Sequence, residues 1–253
     1  MGRGLIITLA VAATALAVVI ARTPLAAVAG WADLGAGGLS YVRAEGTVWD
    51  GRLVGARLNG HELGVVEVSA RASALFTGAL GLQFSVNGDG IIGAGSATVG
   101  IDRTMALKDT RLSVDLQRFS YFFEELPFIG RVDADVSRIV FGPRGCRAAE
   151  AEITTDALAE TAAAMRGAAP VLAGDIRCDG DALVVALAGA ENDDAVDLAL
   201  RLQPDLTYAL DIEVHTAERG LSTLLPMLGF DGSGEAFTYS REGALAAAQG
   251  GNS

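Results

Sequence analysis

The chain has 253 residues, enough for one large domain or two small ones, with 19 basic and 31 acidic side chains and a formal charge of −12. That balance argues against nucleic acid and anionic membrane surfaces as partners. The basic residues are arginines apart from Lys108, and aromatics are few while glycine is abundant, a profile that fits a β-rich fold with small side chains and many turns.

The first element is the run Leu5 to Ala21, LIITLAVAATALAVVIA, which carries no charge and only Thr8 and Thr14 as polar residues. Exposed to water, a helix of that composition would leave its whole apolar surface solvated, at roughly 25 cal/mol per Å². At a rise of ~1.5 Å per residue it spans about 25 Å, slightly short of a ~30 Å hydrocarbon core. Arg3 precedes it and Arg22 with Pro24 closes it. A positive N-terminal flank favours retention of that flank in the cytoplasm, which exports the rest of the chain. The rival reading is a cleaved signal peptide with Ala27-Val28-Ala29 as a small-x-small site. Both readings place the bulk of the chain outside the cytoplasm.

Residues 23–38 are small and Gly-rich and read as a linker with a short helical turn at most, Trp31 being the one large side chain. From Leu39 the hydrophobic period becomes two. Leu80 to Val86, Leu112 to Gln117, Val196 to Leu202 and Tyr208 to His215 alternate cleanly, which places one face of each strand on a core and the other in water. Turn signals such as Asn87-Gly88-Asp89-Gly90 and Gln203-Pro204-Asp205 predict antiparallel hairpins. Asp156 to Gly167 has a capping residue, an Ala-rich body and a terminal glycine, and predicts a helix.

Arg118 to Gly130 and Arg219 to Gly229 each follow a clean strand and share Leu-Pro-apolar-apolar-Gly, with Pro127 and Pro226 in matching places. The shared context predicts a duplication: a first β-rich repeat over 39–130, a second over 131–242, and a frayed tail over 243–253. The fold class is therefore mainly β, an antiparallel body of two repeats with short helices behind an N-terminal transmembrane helix. Cys146 and Cys178 form an even count in an exported chain, which points to one disulfide closing the helix-containing excursion. Two buried free thiols are the alternative.

In Ser40 to Gly64 the pattern Gly46-Thr47-Val48-Trp49-Asp50-Gly51 precedes a strand and Leu63-Gly64. Together with Leu172-Ala173-Gly174-Asp175-Ile176-Arg177-Cys178-Asp179-Gly180-Asp181-Ala182-Leu183, this resembles the protein N family of the bacterial type II secretion system. The likeness departs from the family pattern in one extra residue between Gly180 and Leu183 and in the Ala-rich helix region. It implies an inner-membrane anchor, a periplasmic β body and contacts with other machine subunits, with no enzymatic activity and no cofactor. Gly46 and Gly51 flank Trp49 where a tight turn needs glycine's backbone freedom, and Trp49 itself reads as a core aromatic covering the open end of the sheet. Repeated alternating strands behind one anchor also resemble the AsmA family, which implies a second reading, a periplasmic lipid-handling protein.

Chemistry-bearing motifs are sparse. Gly88-Asp89-Gly90-Ile91-Ile92-Gly93 fits G-x-G-x-x-G, but a dinucleotide loop must open a helix and strand-like residues follow here. Gly95-Ser96-Ala97 and Gly232-Ser233-Gly234 lack the frame of a nucleophile elbow. His61 and His215 read as exposed surface residues. Asp175, Asp179 and Asp181, and again Glu191, Asp193, Asp194 and Asp197, gather oxygen ligands without the spacing of a calcium loop, and no metal site is expected.

Overall fold

The computed structural model describes residues 22–31, 39–58, 60–71, 79–118, 129–164, 168–205 and 207–244. The expected membrane helix, the segment around Pro127 and the tail beyond Ala244 lie outside the described residues. Among the described residues no helix is long and apolar enough to cross a membrane. The chain divides into two compact units between Asp89 and Gly90. The division expected near Gly130 rests partly on the motif copy at Leu126–Gly130, of which only Ile129 and Gly130 are described.

In the first unit the expected linker contains a helix, α1 (Leu25–Trp31), in which Leu25 and Ala29 are buried. Five strands follow: β1 (Leu39–Ser40), β2 (Arg43–Thr47), β3 (Asp50–Leu58), β4 (His61–Arg71) and β5 (Ala79–Gly88). β1 and β2 both pair with β3, which pairs with β4, and β4 with β5, all antiparallel. The alternation puts Leu53, Ala56, Val66 and Val68 against Leu25 of α1, and this cluster is the core of the unit. The opposite face is polar: the register aligns Glu45, Arg52, Glu67 and Ser85 across four strands.

The second unit is an antiparallel meander. Its strands are β6 (Ile91–Gly100), β7 (Met105–Asp115), β8 (Arg131–Gly142), β9 (Gly145–Thr155), β10 (Leu172–Asp179), β11 (Ala182–Glu191), β12 (Asp194–Leu202), β13 (Thr207–His215), β14 (Asp231–Ser233) and β15 (Ala236–Ala244). Each pairs with its successor up to β13, which pairs with β15, and β14 lies outside β15. The G-x-G-x-x-G stretch opens no helix: Gly88 ends β5 and Ile91-Ile92-Gly93 already belong to β6. β15 runs on to Ala244, two residues into the expected tail.

The predicted helix appears as α2 (Ala157–Ala164), and residues 165–167 of the predicted span lie outside the described ones. Its N-terminal amide partner is not the expected Asp156. The Thr155 hydroxyl accepts from Ala157 N–H at 3.2 Å, while the Asp156 carboxylate takes Arg131 N–H of β8 at 2.6 Å. A second helical connection, α3 (Arg219–Leu224) with a 3₁₀ turn over Leu225–Leu228, holds the second motif copy.

Directly opposed residues build apolar rows across the strands, such as Gly174, Leu187, Leu198, Ile212 and Tyr239. Leu158 of α2 and Leu225 close over one end of this face, packing with Leu172, Val196, Val214 and Phe237. Cys146 and Cys178 are bonded, with a Cα–Cα distance of 5.6 Å, and tie the start of β9 to the end of β10.

Candidate functional site

The Gly46–Gly51 stretch forms the β2–β3 hairpin. Gly46 opposes Gly51, Thr47 opposes Asp50, and Val48-Trp49 is the two-residue turn. Gly46 has φ +81°, and a Cβ there would run into the Asp50 carbonyl oxygen. A Cβ at Gly51 would lie 2.5 Å from the Thr47 carbonyl oxygen and 2.8 Å from Cδ2 of Leu25, so the bare backbone at this position is what lets α1 approach the hairpin. Val48 N–H donates to the Thr23 carbonyl at 3.2 Å and the Val48 carbonyl accepts from Ala70 N–H at 2.8 Å, which pins the turn between the start of the domain and the end of β4. Trp49 is half-buried, and the turn residue packed on the Leu25–Leu53–Ala56 cluster is Val48. The backbone bonds at residue 48 direct that side chain inward.

The same hairpin walls a concavity of about 570 Å³ on the polar face. Glu45, Asp50 and Arg52 come from the hairpin, Glu67 and Ser69 from β4, and Gln83 and Ser85 from β5. Glu45 is shared by two cations: Arg43 Nε reaches Oε1 at 2.7 Å and Arg52 Nε reaches Oε2 at 2.6 Å. The Arg52 hydrogen bond, with the charges of Arg43 and Arg52 adding, holds the Glu45 carboxyl below the ordinary range. The Ser85 hydroxyl donates to Glu67 at 3.0 Å. The concavity thus offers carboxylates, one guanidinium, hydroxyls and an amide beside the apolar Val68 and Phe84, a mixed surface able to hydrogen-bond and to pack.

The other residues considered from the sequence stand apart. His215 is exposed and lies 2.9 Å from Glu213 Oε1, while His61 opens β4. Ser96 Oγ donates to the Lys108 carbonyl, and Ser233 lies in exposed β14. Asp175 is ion-paired with Arg177 at 2.9 Å and Asp179 with Arg201 at 2.5 Å, so these carboxylates are engaged by guanidinium groups. Among the described residues no three His, Cys, Asp or Glu side chains converge as metal ligands. The concavity itself went unseen in the sequence reading. Its signal is the in-register spacing of Glu45, Arg52, Glu67 and Ser85, which becomes visible only once the strands are paired.

Fold and hairpin together define an antiparallel β protein with a concavity on one face of its first unit. The sequence pattern of type II secretion system (T2SS) protein N matches residues 37–239, from before β1 to the middle of β15. The chain belongs to that family. Neither a curated protein nor a solved structure matches it.

Proposed function

We propose that the protein is a non-enzymatic accessory component of the type II secretion machinery, held in the inner membrane by residues 5–21. Its β body stands in the periplasm and contacts other machine subunits through the polar concavity beside Gly46–Gly51. The family match over 37–239 carries this reading, since it spans both units and includes the hairpin and the cysteine pair. The test is deletion in the native host with assay of type II-exported enzymes in the medium, combined with crosslinking from position 67. Reduced export and a crosslinked machine subunit are expected. Unaltered export together with no subunit captured would sink the proposal.

One observation favours a second reading, an AsmA-like lipid-handling role. Beyond the helical cover, the rows Val185, Leu200, Leu210 and Leu183, Leu202, Tyr208 are only half-buried, which leaves apolar surface along β11–β13. Native mass spectrometry of the detergent-extracted chain decides it: co-purified phospholipid supports lipid handling, and a lipid-free chain removes it.

A further inference from the structure

The meander of the second unit ends on β15, and only part of that strand's outer side is covered. Thr216 N–H donates to the Glu235 carbonyl at 2.8 Å, one step beyond the β13–β15 ladder. Antiparallel alternation from that bond turns the amides and carbonyls of Phe237, Tyr239, Arg241 and Gly243 towards β13. Those of Ala236, Thr238, Ser240, Glu242 and Ala244 point the other way. β14 takes up Ala236 and Thr238, opposite Ser233 and Asp231. Among the described residues no strand pairs with the outward groups of Ser240, Glu242 and Ala244. This row has room for a short strand running antiparallel to β15, in line with β14.

The two faces of this edge differ in chemistry. Thr238, Ser240 and Glu242 share the polar face with Glu213, Asp211 and Ala209 of β13, and the Ser240 hydroxyl donates to Asp211 at 2.7 Å. Residues 207–215 and 231–244 hold Asp211, Glu213, Asp231, Glu235 and Glu242 against Arg241. The bordering turns keep that sign, adding Asp205 and Glu218 against Arg219. So does β12, with Asp194 and Asp197 against an Arg201 that Asp179 engages. On the other face Tyr239 and Gly243 stand either side of Arg241. The Tyr239 ring lies 5.3 Å from that of Phe230, and a Cβ at Gly243 would stand 2.7 Å from the Tyr208 ring. The bare glycine therefore lets the Tyr208 ring lie against the edge strand.

We propose that the β15 edge binds an extended segment of another polypeptide in which basic and apolar side chains alternate. Backbone bonds to Ser240, Glu242 and Ala244 hold it as an added antiparallel strand. Its basic side chains lie beside Glu242 and Asp211, and its apolar ones meet Tyr239 and Tyr208. Arg241, on the tyrosine face, disfavours a cation there and so fixes which face takes the basic residues. A second copy of this chain fits poorly. The symmetric antiparallel register that uses all three outward residues sets Glu242 opposite its own copy, and like charges directly opposed destabilise a ladder. A lipid offers no alternating row of backbone donors and acceptors. The edge uses no residue of the concavity beside Gly46–Gly51, so this inference stands independently of the secretion role.

The test is residue-resolved amide hydrogen exchange of the full chain in detergent micelles, with saturating acetyl-KVKVKVK-amide as the probe. Exchange about tenfold slower is expected at Ser240, Glu242 and Ala244, with Tyr239, Arg241 and Gly243 unchanged because β13 already holds them. The peptide EVEVEVE, and KVKVKVK N-methylated at the lysine amides that face β15 in this register, are expected to leave the exchange unchanged. Glu242→Lys replaces an attractive cross-strand pair by a repulsive one and is expected to raise the Kd of KVKVKVK about tenfold. Far-UV circular dichroism and an intact disulfide confirm that the variant is folded; should it misfold, the N-methylated peptide carries the test on the natural chain. No slowing with KVKVKVK overturns the proposal. So does equal slowing with EVEVEVE, or slowing that survives N-methylation. Slow exchange at the three amides before any peptide is added also overturns it. In that case loss of protection on dilution assigns the edge to a second copy, and protection at every concentration assigns it to residues 245–253 of the same chain.

Discussion

Gly46 and Gly60 share a left-handed backbone, at φ +81° and +87°, yet their surroundings differ completely. A Cβ at Gly60 meets nothing within 4 Å, whereas at Gly46 it meets the Asp50 carbonyl across the hairpin. Gly60→Ala therefore isolates the backbone strain, about 1 kcal/mol. Gly46→Ala adds a steric clash that the paired strand cannot evade, bringing the expected loss to about 3 kcal/mol. Urea denaturation of the two variants checks this: equal losses would remove the steric account of the signature. The sequence pointed to both signature glycines, because tight turns beside a large side chain need them. The turn residue packed on the Leu25–Leu53–Ala56 cluster, Val48, was not singled out. Val48 packs below the turn because its own N–H and carbonyl are bonded to Thr23 and Ala70, contacts that no local pattern announces.

At the scale of elements, period-two alternation located β5, β7, β12 and β13 because each buries one face only, and that pattern survives in the linear sequence. Helix α1 was legible only as a short helical turn in a linker, since Leu25 gains its meaning from Leu53 and Ala56 on a strand that comes later. On the outer face of the same strands, ion pairs replace packing. The Asp179 carboxyl is held below its ordinary value of 3.8 chiefly by the hydrogen bond from Arg201, with the Arg201 charge adding. A lowered folded pKa stabilises the fold above the ordinary value, and the contribution is lost as pH falls through the folded value. Asp102 and Asp205 are lowered in the same sense by Thr104 and Thr207 hydrogen bonds. The melting temperature is accordingly expected to fall as pH drops below about 4. In Arg201→Met the gap to wild type should be widest at neutral pH and narrow toward pH 3. Melting curves from pH 3 to 7 measure it, and a gap that stays constant across that range would exclude the Asp179–Arg201 pair as its source.

At the scale of the whole molecule, the concavity was illegible because Glu67 and Ser85 are 18 residues apart and meet only through the β4–β5 register. The cysteine pair was legible because it depends on compartment and count more than on register. Cys146 and Cys178 lie 32 residues apart, and closing such a loop restricts the unfolded chain by about 3–4 kcal/mol on the chain-entropy estimate. That contribution exists only where the bond forms and persists, in an oxidising compartment. The oxidation state in the cell is therefore a readout of where the second unit resides. If the apolar run at residues 5–21 sends the chain outward, alkylation of intact native-host cells under denaturing, non-reducing conditions leaves both cysteines unmodified, and both become reactive after reduction. The same measurement in a host without its periplasmic thiol oxidant is expected to show both thiols labelled and the chain degraded faster. Free thiols in the unperturbed host would place the β body on the cytosolic side of the membrane, and the secretion role proposed for it would fall with that placement.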